Sequence, residues 1–198
     1  MTGIIIYGAG NLFSLTASLD RLGIKYGMIE KVEDFELYDR YIIPGVGHAG
    51  AAMKKLEESG FVPIIKAIKK PVLGICVGMQ LLTQFSEEGD SDLTAITPLD
   101  TLQFNAEKLK LKVPHMGWNR VVPEFENPLF NGIKNNSYFY FVHSYFIEYQ
   151  TGYTIASANY GIKFSAALKK DNFYGVQFHP EKSGESGELI LKNFTNLN

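Results

Sequence analysis

Three short apolar runs, each ending in a glycine-rich turn, constrain this chain more than any other feature. Residues 3–7, 41–43 and 71–75 read GIIIY, YII and PVLGI, with no polar residue alternating among them. A strand with one wet face alternates polar and apolar, whereas an unbroken apolar run is the pattern of a strand buried on both faces. The runs break at GAGN (8–11), PGVG (44–47) and GICVG (74–78). Helical spacing fills the gaps. Asn11 is placed to cap a helix in which Leu12, Leu15, Leu19 and Leu22 recur, and Gly23 supplies the stop. A strand is expected at 26–29 and helices at 49–59 and 62–69. This rhythm predicts an α/β fold: an open, largely parallel sheet with helices on both faces.

From about residue 93 to 182 the pattern changes. Segments such as SYFYFVHSYFIEY (137–149) and TIASANYGIKFSAAL (154–168) read as short aromatic and β-branched strands, added antiparallel. A last amphipathic helix, about 187–196, is expected to lay Leu189, Ile190 and Phe194 on the sheet. No linker, repeat or low-complexity tract interrupts the sequence, so residues 1–198 are expected to form a single domain.

Composition narrows the function. With 45% hydrophobic residues the chain can build a core without a metal or disulfide staple, and a net charge of −2 leaves no electrostatic footprint for nucleic acid. No apolar stretch approaches the ~20 residues that span a bilayer, so no membrane partner is expected. One cysteine cannot form an internal disulfide, and MTGIIIYGAG lacks the features of a secretory leader; both predict a cytoplasmic protein. The segment GAGNLF (8–13) lacks the third glycine of a dinucleotide fingerprint, Phe13 standing there instead. His48, His115, His143 and His179 show no metal-ligand spacing with Cys76. Neither cofactor nor metal is expected.

The segment GICVG has the form glycine–x–nucleophile–x–glycine on a strand-to-helix turn. Such a turn strains the central residue and requires small neighbours, here Gly74 and Gly78. A thiol at the start of a helix feels the positive end of the helix dipole, which favours a thiolate, and the Val77 N–H can face a developing oxyanion. The alternative is a small buried hydrophobe, because free cysteine is often buried. A nucleophile needs a base and an orienting acid, and YGVQFHPEKSG (174–184) offers His179 and Glu181. Extended chain would put residues i and i+2 on one side. PGVG ends another predicted parallel strand on the same sheet edge and can supply a second oxyanion donor.

PGVG, LGICVGMQLL, VPHMGWN, YFVHSY and GVQFHPEKSG together resemble the class I glutamine amidotransferases, whose fold is flavodoxin-like. More narrowly, they resemble the glutaminase subunits of imidazole glycerol phosphate synthase in histidine biosynthesis. The resemblance runs from Gly8 to Phe194. It implies that Cys76 attacks glutamine, that His179 moves the proton and that Glu181 orients His179. It also implies an oxyanion hole at Gly47 and Val77 and glutamine contacts from Gln80, Ser144 and Tyr145. A (βα)8-barrel cyclase subunit is the implied partner, receiving ammonia directly, with Asn11, Met116, Trp118, Tyr140 and Lys182 facing it. Ile6, Phe13 and His48 depart from the family's usual residues. They leave open a paralogue that feeds a sugar-nucleotide amidotransferase in surface-glycan biosynthesis. An inactive scaffold that only activates the barrel is the alternative of another class.

Overall fold

In a computed structural model describing residues 1–197, the apolar runs become the centre of a nine-stranded sheet. The first half lays down β1 (Thr2–Ile5), α1 (Leu12–Arg21), β2 (Tyr26–Ile29), β3 (Arg40–Ile43), α2 (Ala49–Glu58), α3 (Val62–Ala67), β4 (Val72–Ile75) and α4 (Val77–Gln80). Short strands β5 (Phe85–Ser86), β6 (Ser91–Asp92) and β7 (Asp100–Gln103) and the one-turn helix α5 (Ala106–Leu109) follow. The rest is β8 (His115–Pro123), β9 (Ser137–His143), β10 (Tyr145–Ile147), β11 (Thr154–Asn159), β12 (Lys163–Lys170), β13 (Phe173–Val176) and α6 (Gly184–Thr195).

The large sheet runs β2-β1-β3-β4-β13-β12-β11-β8-β9. The pairs among β2, β1, β3, β4 and β13 are parallel, and every pair beyond β13 is antiparallel. Every residue of β1, β4 and β13 is buried, as strands covered on both faces must be. The chain moves outward from β1 through α1 to β2, but in the opposite direction from β3 through α2 and α3 to β4. Right-handed crossovers then put α1 on one face and α2 and α3 on the other. The Asn11 side chain accepts from the Ser14 N–H at 3.4 Å to cap α1, and Gly23 ends the helix at φ +65°.

The structure differs from the sequence reading at several points. A separate four-stranded sheet, β10-β7-β5-β6, was not expected; β5 and β6 have two residues each, too few to show a period. The helix expected at 62–69 ends at Ala67. Helix α6 begins at Gly184, and its buried stripe is Ile190, Leu191 and Phe194, with Leu189 only half-buried. Gly187, Ile190, Leu191 and Phe194 are spaced i, i+3, i+4, i+7, which centres the stripe one residue later than expected. Among the described residues no helix is long and apolar enough to cross a membrane.

The sheet order decides where chemistry can occur. Register pairs Ile43 with Gly74 and Ile75 with Val176, so β3, β4 and β13 end side by side. Their next residues are the PGVG loop, Cys76, and the segment leading to His179. This edge, outside the carboxyl ends of parallel strands, is where open α/β sheets bind ligands.

Candidate active site

Cys76 sits at φ 54° and ψ −110°, a left-handed backbone for a residue with a Cβ, at a cost of about 1–3 kcal/mol. Hydrogen bonds on both sides hold it there. Its N–H donates to the Val176 carbonyl at 2.8 Å, and its own carbonyl accepts from the Met79 N–H at 3.0 Å. The neighbouring glycines serve close packing. A Cβ on Gly74 would strike the Gly78 carbonyl oxygen, and one on Gly78 would strike the carbonyl oxygen of Ile43. A Cβ on Gly45, in the PGVG loop, would lie 2.5 Å from the Gly78 nitrogen. The elbow is therefore wedged between β3 and the loop that follows it. Helix α4 is only four residues long, so the local field at the thiol comes from the first N–H groups of that turn, not from a long macrodipole.

His179 and Glu181 meet through a different geometry from the one expected. Pro180–Lys182 forms a 3₁₀ turn, not extended chain, and the turn brings His179 Nδ1 within 2.8 Å of Glu181 Oε1. The His179 N–H donates to the Tyr140 carbonyl at 2.9 Å, while the Ser183 hydroxyl donates to the His179 carbonyl at 2.6 Å. Both ring and carboxylate are almost fully buried. A carboxylate only accepts, so Nδ1 carries a proton and Nε2 is the nitrogen left for chemistry. Nε2 has no hydrogen-bond partner among the described residues. Burial is the largest single influence on His179 and lowers its pKa. Contact with Cys76 and Glu181 together outweighs burial and holds it at about 10.

That shift has a sign. A histidine raised above its ordinary 6.5 stabilises the fold fully below pH 6.5, and the contribution fades as pH rises toward about 10. Glu181→Gln removes one of the two groups that hold the proton. The urea midpoint of the wild-type chain is expected to fall between pH 6.5 and 10, and that of the variant to fall less. Equal slopes in the two titrations would show that Glu181 does not hold the charge.

A cavity of about 320 Å³ opens over these groups, lined among others by Gly47, Cys76, Val77, Gln80, Ser144, Tyr145 and His179. Gly47, at φ +90°, gives the loop a backbone that other residues rarely adopt. Gln80 is buried, and its amide donates to the Tyr145 carbonyl at 3.3 Å and to Gln177 Oε1 at 3.1 Å. Gln177 and His143 were not singled out by the sequence reading. Gln177 is fully buried one residue past β13, and its amide donates to Cys76 Sγ at 3.7 Å. Among the described residues no group of three histidines, cysteines or acids is arranged to hold a metal ion.

The residues expected to face a partner share one side. Strand β8 turns Met116 and Trp118 outward, and both are more than half exposed. Trp118 pairs with Tyr140 across the β8–β9 ladder, their rings 6.2 Å apart, with Lys182 Nζ 5.9 Å from the centre of the Tyr140 ring. Helix α1, which Asn11 caps, packs against the turn that carries Lys182. A core role for Trp118 is excluded by its exposure.

Residues 7–197 match the family described as glutamine amidotransferase class-I. The chain is 45% identical over 198 residues to the imidazole glycerol phosphate synthase subunit HisH of Photorhabdus laumondii, covering 98% of both proteins. It is 47% identical over 194 residues to the HisH subunit of Bacteroides fragilis, again covering 98% of both. Among solved structures, one described as a glutamine amidotransferase superposes with a TM-score of 0.74 at 15% identity, over 98% of each chain. PurLQS from Thermotoga maritima superposes at 0.70 and 15%, over 98% of this chain and 97% of that one. At such identities the structures speak for the fold, while the sequence relatives speak for the family. The chain belongs to the class I glutamine amidotransferases and, within them, to the HisH subunits of imidazole glycerol phosphate synthase.

Proposed function

We propose that residues 1–198 form one glutaminase domain in which Cys76, His179 and Glu181 hydrolyse glutamine and release ammonia to a (βα)8-barrel cyclase subunit. The observation that carries the reading is the register of β3, β4 and β13, which gathers the loop, the thiol and the imidazole at one sheet edge. Cys76 Sγ attacks the side-chain amide carbon of glutamine after its proton has passed to His179 Nε2, which holds it up to about pH 10. The Val77 N–H and a peptide N–H near Gly47 receive the oxyanion. The C–N bond breaks, the nitrogen leaves with the proton from His179, and a γ-glutamyl thioester remains. Water activated by His179 then cleaves the thioester, so glutamine and water become glutamate and ammonia. Gln80, Ser144 and Tyr145 hold the amino-acid end. The buried His179–Glu181 contact supports this reading over the inactive scaffold. The HisH relatives favour delivery to the histidine pathway over surface-glycan amidation.

Ammonia that reached neutral water would be protonated and lose its nucleophilicity, which favours a docked acceptor. The outward stripe of Met116, Trp118 and Tyr140 is the face we assign to the barrel, flanked by Asn11 and Lys182. The test is glutamate release from glutamine, alone and with the cyclase subunit and its nucleotide ligand. Stimulation by both is expected, and its absence would remove the cyclase from the reading. In the same system Trp118→Ala is expected to weaken association about 30-fold, roughly 2 kcal/mol, as an interfacial aromatic anchor should. The free chain's stability should change little, because the ring is 55% exposed. An unchanged dissociation constant by calorimetric titration would exclude Trp118 from the interface.

A further inference from the structure

Behind the cavity, strands β8 and β9 turn a row of polar groups inward. Outward Met116 and Trp118 alternate with inward His115 and Asn119, and outward Tyr140 and Val142 with inward Phe141 and His143. His115 and His143 are buried, and the mechanism uses neither. His115 Nδ1 lies 2.9 Å from His143 Nε2, His143 Nδ1 lies 2.7 Å from the Tyr145 carbonyl, and the Asn119 amide nitrogen lies 3.2 Å from His115 Nε2. The His115 ring is stacked between Phe141 and Tyr160, at 4.9 and 4.1 Å between centroids, which fixes its plane.

The protons in this chain have one arrangement. A carbonyl only accepts, so His143 Nδ1 carries a hydrogen toward Tyr145. Burial, then the neighbouring His115 and His179, bring His143 down to about 3 against the opposing pull of the Tyr145 carbonyl, and burial brings His115 down to about 4. Both rings are therefore neutral at pH 7. A neutral His143 has a bare Nε2 that accepts from the His115 Nδ1–H. The bare Nε2 of His115 then accepts from Asn119, whose second amide hydrogen goes to the Asn159 carbonyl at 2.9 Å and whose oxygen accepts from the Arg120 N–H at 2.8 Å. Every donor and acceptor in the row is matched, so reversing one link would leave buried groups unpaired. At its inner end the Tyr145 carbonyl also accepts from Gln80.

We propose that Asn119, His115 and His143 are a positioning relay for the glutamine site, setting the Tyr145 carbonyl, and through it Gln80, from strand β8. The proposal rests on reading the cavity as the glutamine site. Because β8 also carries Met116 and Trp118 outward, a partner that presses on that strand acts on the same row of hydrogen bonds.

Two measurements test it. Nitrogen-15 NMR of the full chain at pH 7.5 should find both rings neutral with the hydrogen on Nδ1, the tautomer that free imidazole disfavours. A charged ring, or a hydrogen on Nε2 of either, overturns the relay. The second is glutamate release by the complex with its cyclase subunit. His115→Phe keeps the stack but removes both links, and should raise KM for glutamine about tenfold while kcat changes less than threefold. His115→Asn keeps an N–H near the Nδ1 position and should stay within about threefold of wild type in KM. A wild-type KM in His115→Phe, or equal impairment in both variants, overturns the relay. Absence of glutamate release from the wild-type complex would instead strike the Cys76 reading, on which the NMR result does not depend.

Discussion

Cys76→Ser is expected to lower glutamate release by about a thousandfold or more while leaving the complex able to use added ammonia. The substitution changes one atom at the elbow. Serine is close to cysteine in size, and the strained backbone at φ 54° is held by the hydrogen bond to Val176 and the packing of Gly74 and Gly78, none of which involves sulfur. The change falls on chemistry. A hydroxyl is far less acidic than a thiol and presents a poorer nucleophile in the same geometry, and loss of an activated nucleophile typically removes most of the rate. His179 and Glu181 stay in contact, so the variant separates the loss of the thiol from the loss of its base. Ammonia-dependent product formation measures whether the interface and the cyclase survive. Full glutaminase activity in Cys76→Ser would exclude Cys76 as the nucleophile. Loss of the ammonia-dependent reaction as well would mean that the substitution had disturbed the docked fold.

The parallel half of the fold was legible because its central strands β1 and β4 are buried on both faces, and an unbroken apolar run has few other uses. Ends were less legible. The first strand stops at Ile5, two residues before the apolar run does, yet the Ile6 N–H still donates to the Ile29 carbonyl at 2.9 Å. Where a strand stops depends on its ladder partner, and the partner cannot be read from the run itself. At the site, residue types carried more than spacing did. His179 and Glu181 are paired as expected, but through a 3₁₀ turn set by Pro180. The histidine row was hidden for another reason. His115, Asn119 and His143 are 28 residues apart at their extremes and only meet because β8 and β9 pair His115 with His143. A period-two reading of SYFYFVH would have put Phe139, Phe141 and His143 on one face, and a histidine in that apolar row is the available signal. Gln177 gave a similar one, a lone amide in the apolar segment YGVQF.

Gly78→Ala is expected to cost about 3 kcal/mol or more of stability and most of the glutaminase activity. Two effects of opposite sign compete at this position. Gly78 lies inside α4, where alanine is the better helix former by about 1 kcal/mol, and its φ is not left-handed, so propensity alone predicts stabilisation. Against this stands a contact that cannot be relieved by rotating a side chain. The added methyl would overlap the carbonyl oxygen of Ile43, a backbone atom at the end of a strand hydrogen-bonded on both sides. Either β3 or α4 must move, and overpacking of rigid elements costs 1–3 kcal/mol and sometimes more. Movement of α4 carries Val77 and Cys76 with it, and movement of β3 carries the PGVG loop. Both displace the oxyanion donors relative to the thiol, so activity should fall along with the urea midpoint. Gly47→Ala is the contrast. An added Cβ there meets nothing within 4 Å, and only the left-handed backbone at φ +90° resists it, at about 1–2 kcal/mol. A wild-type midpoint in Gly78→Ala would mean that the elbow and the end of β3 do not pack this closely in solution. Equal losses in the two variants would mean that contact with Ile43 costs no more than the backbone strain at Gly47.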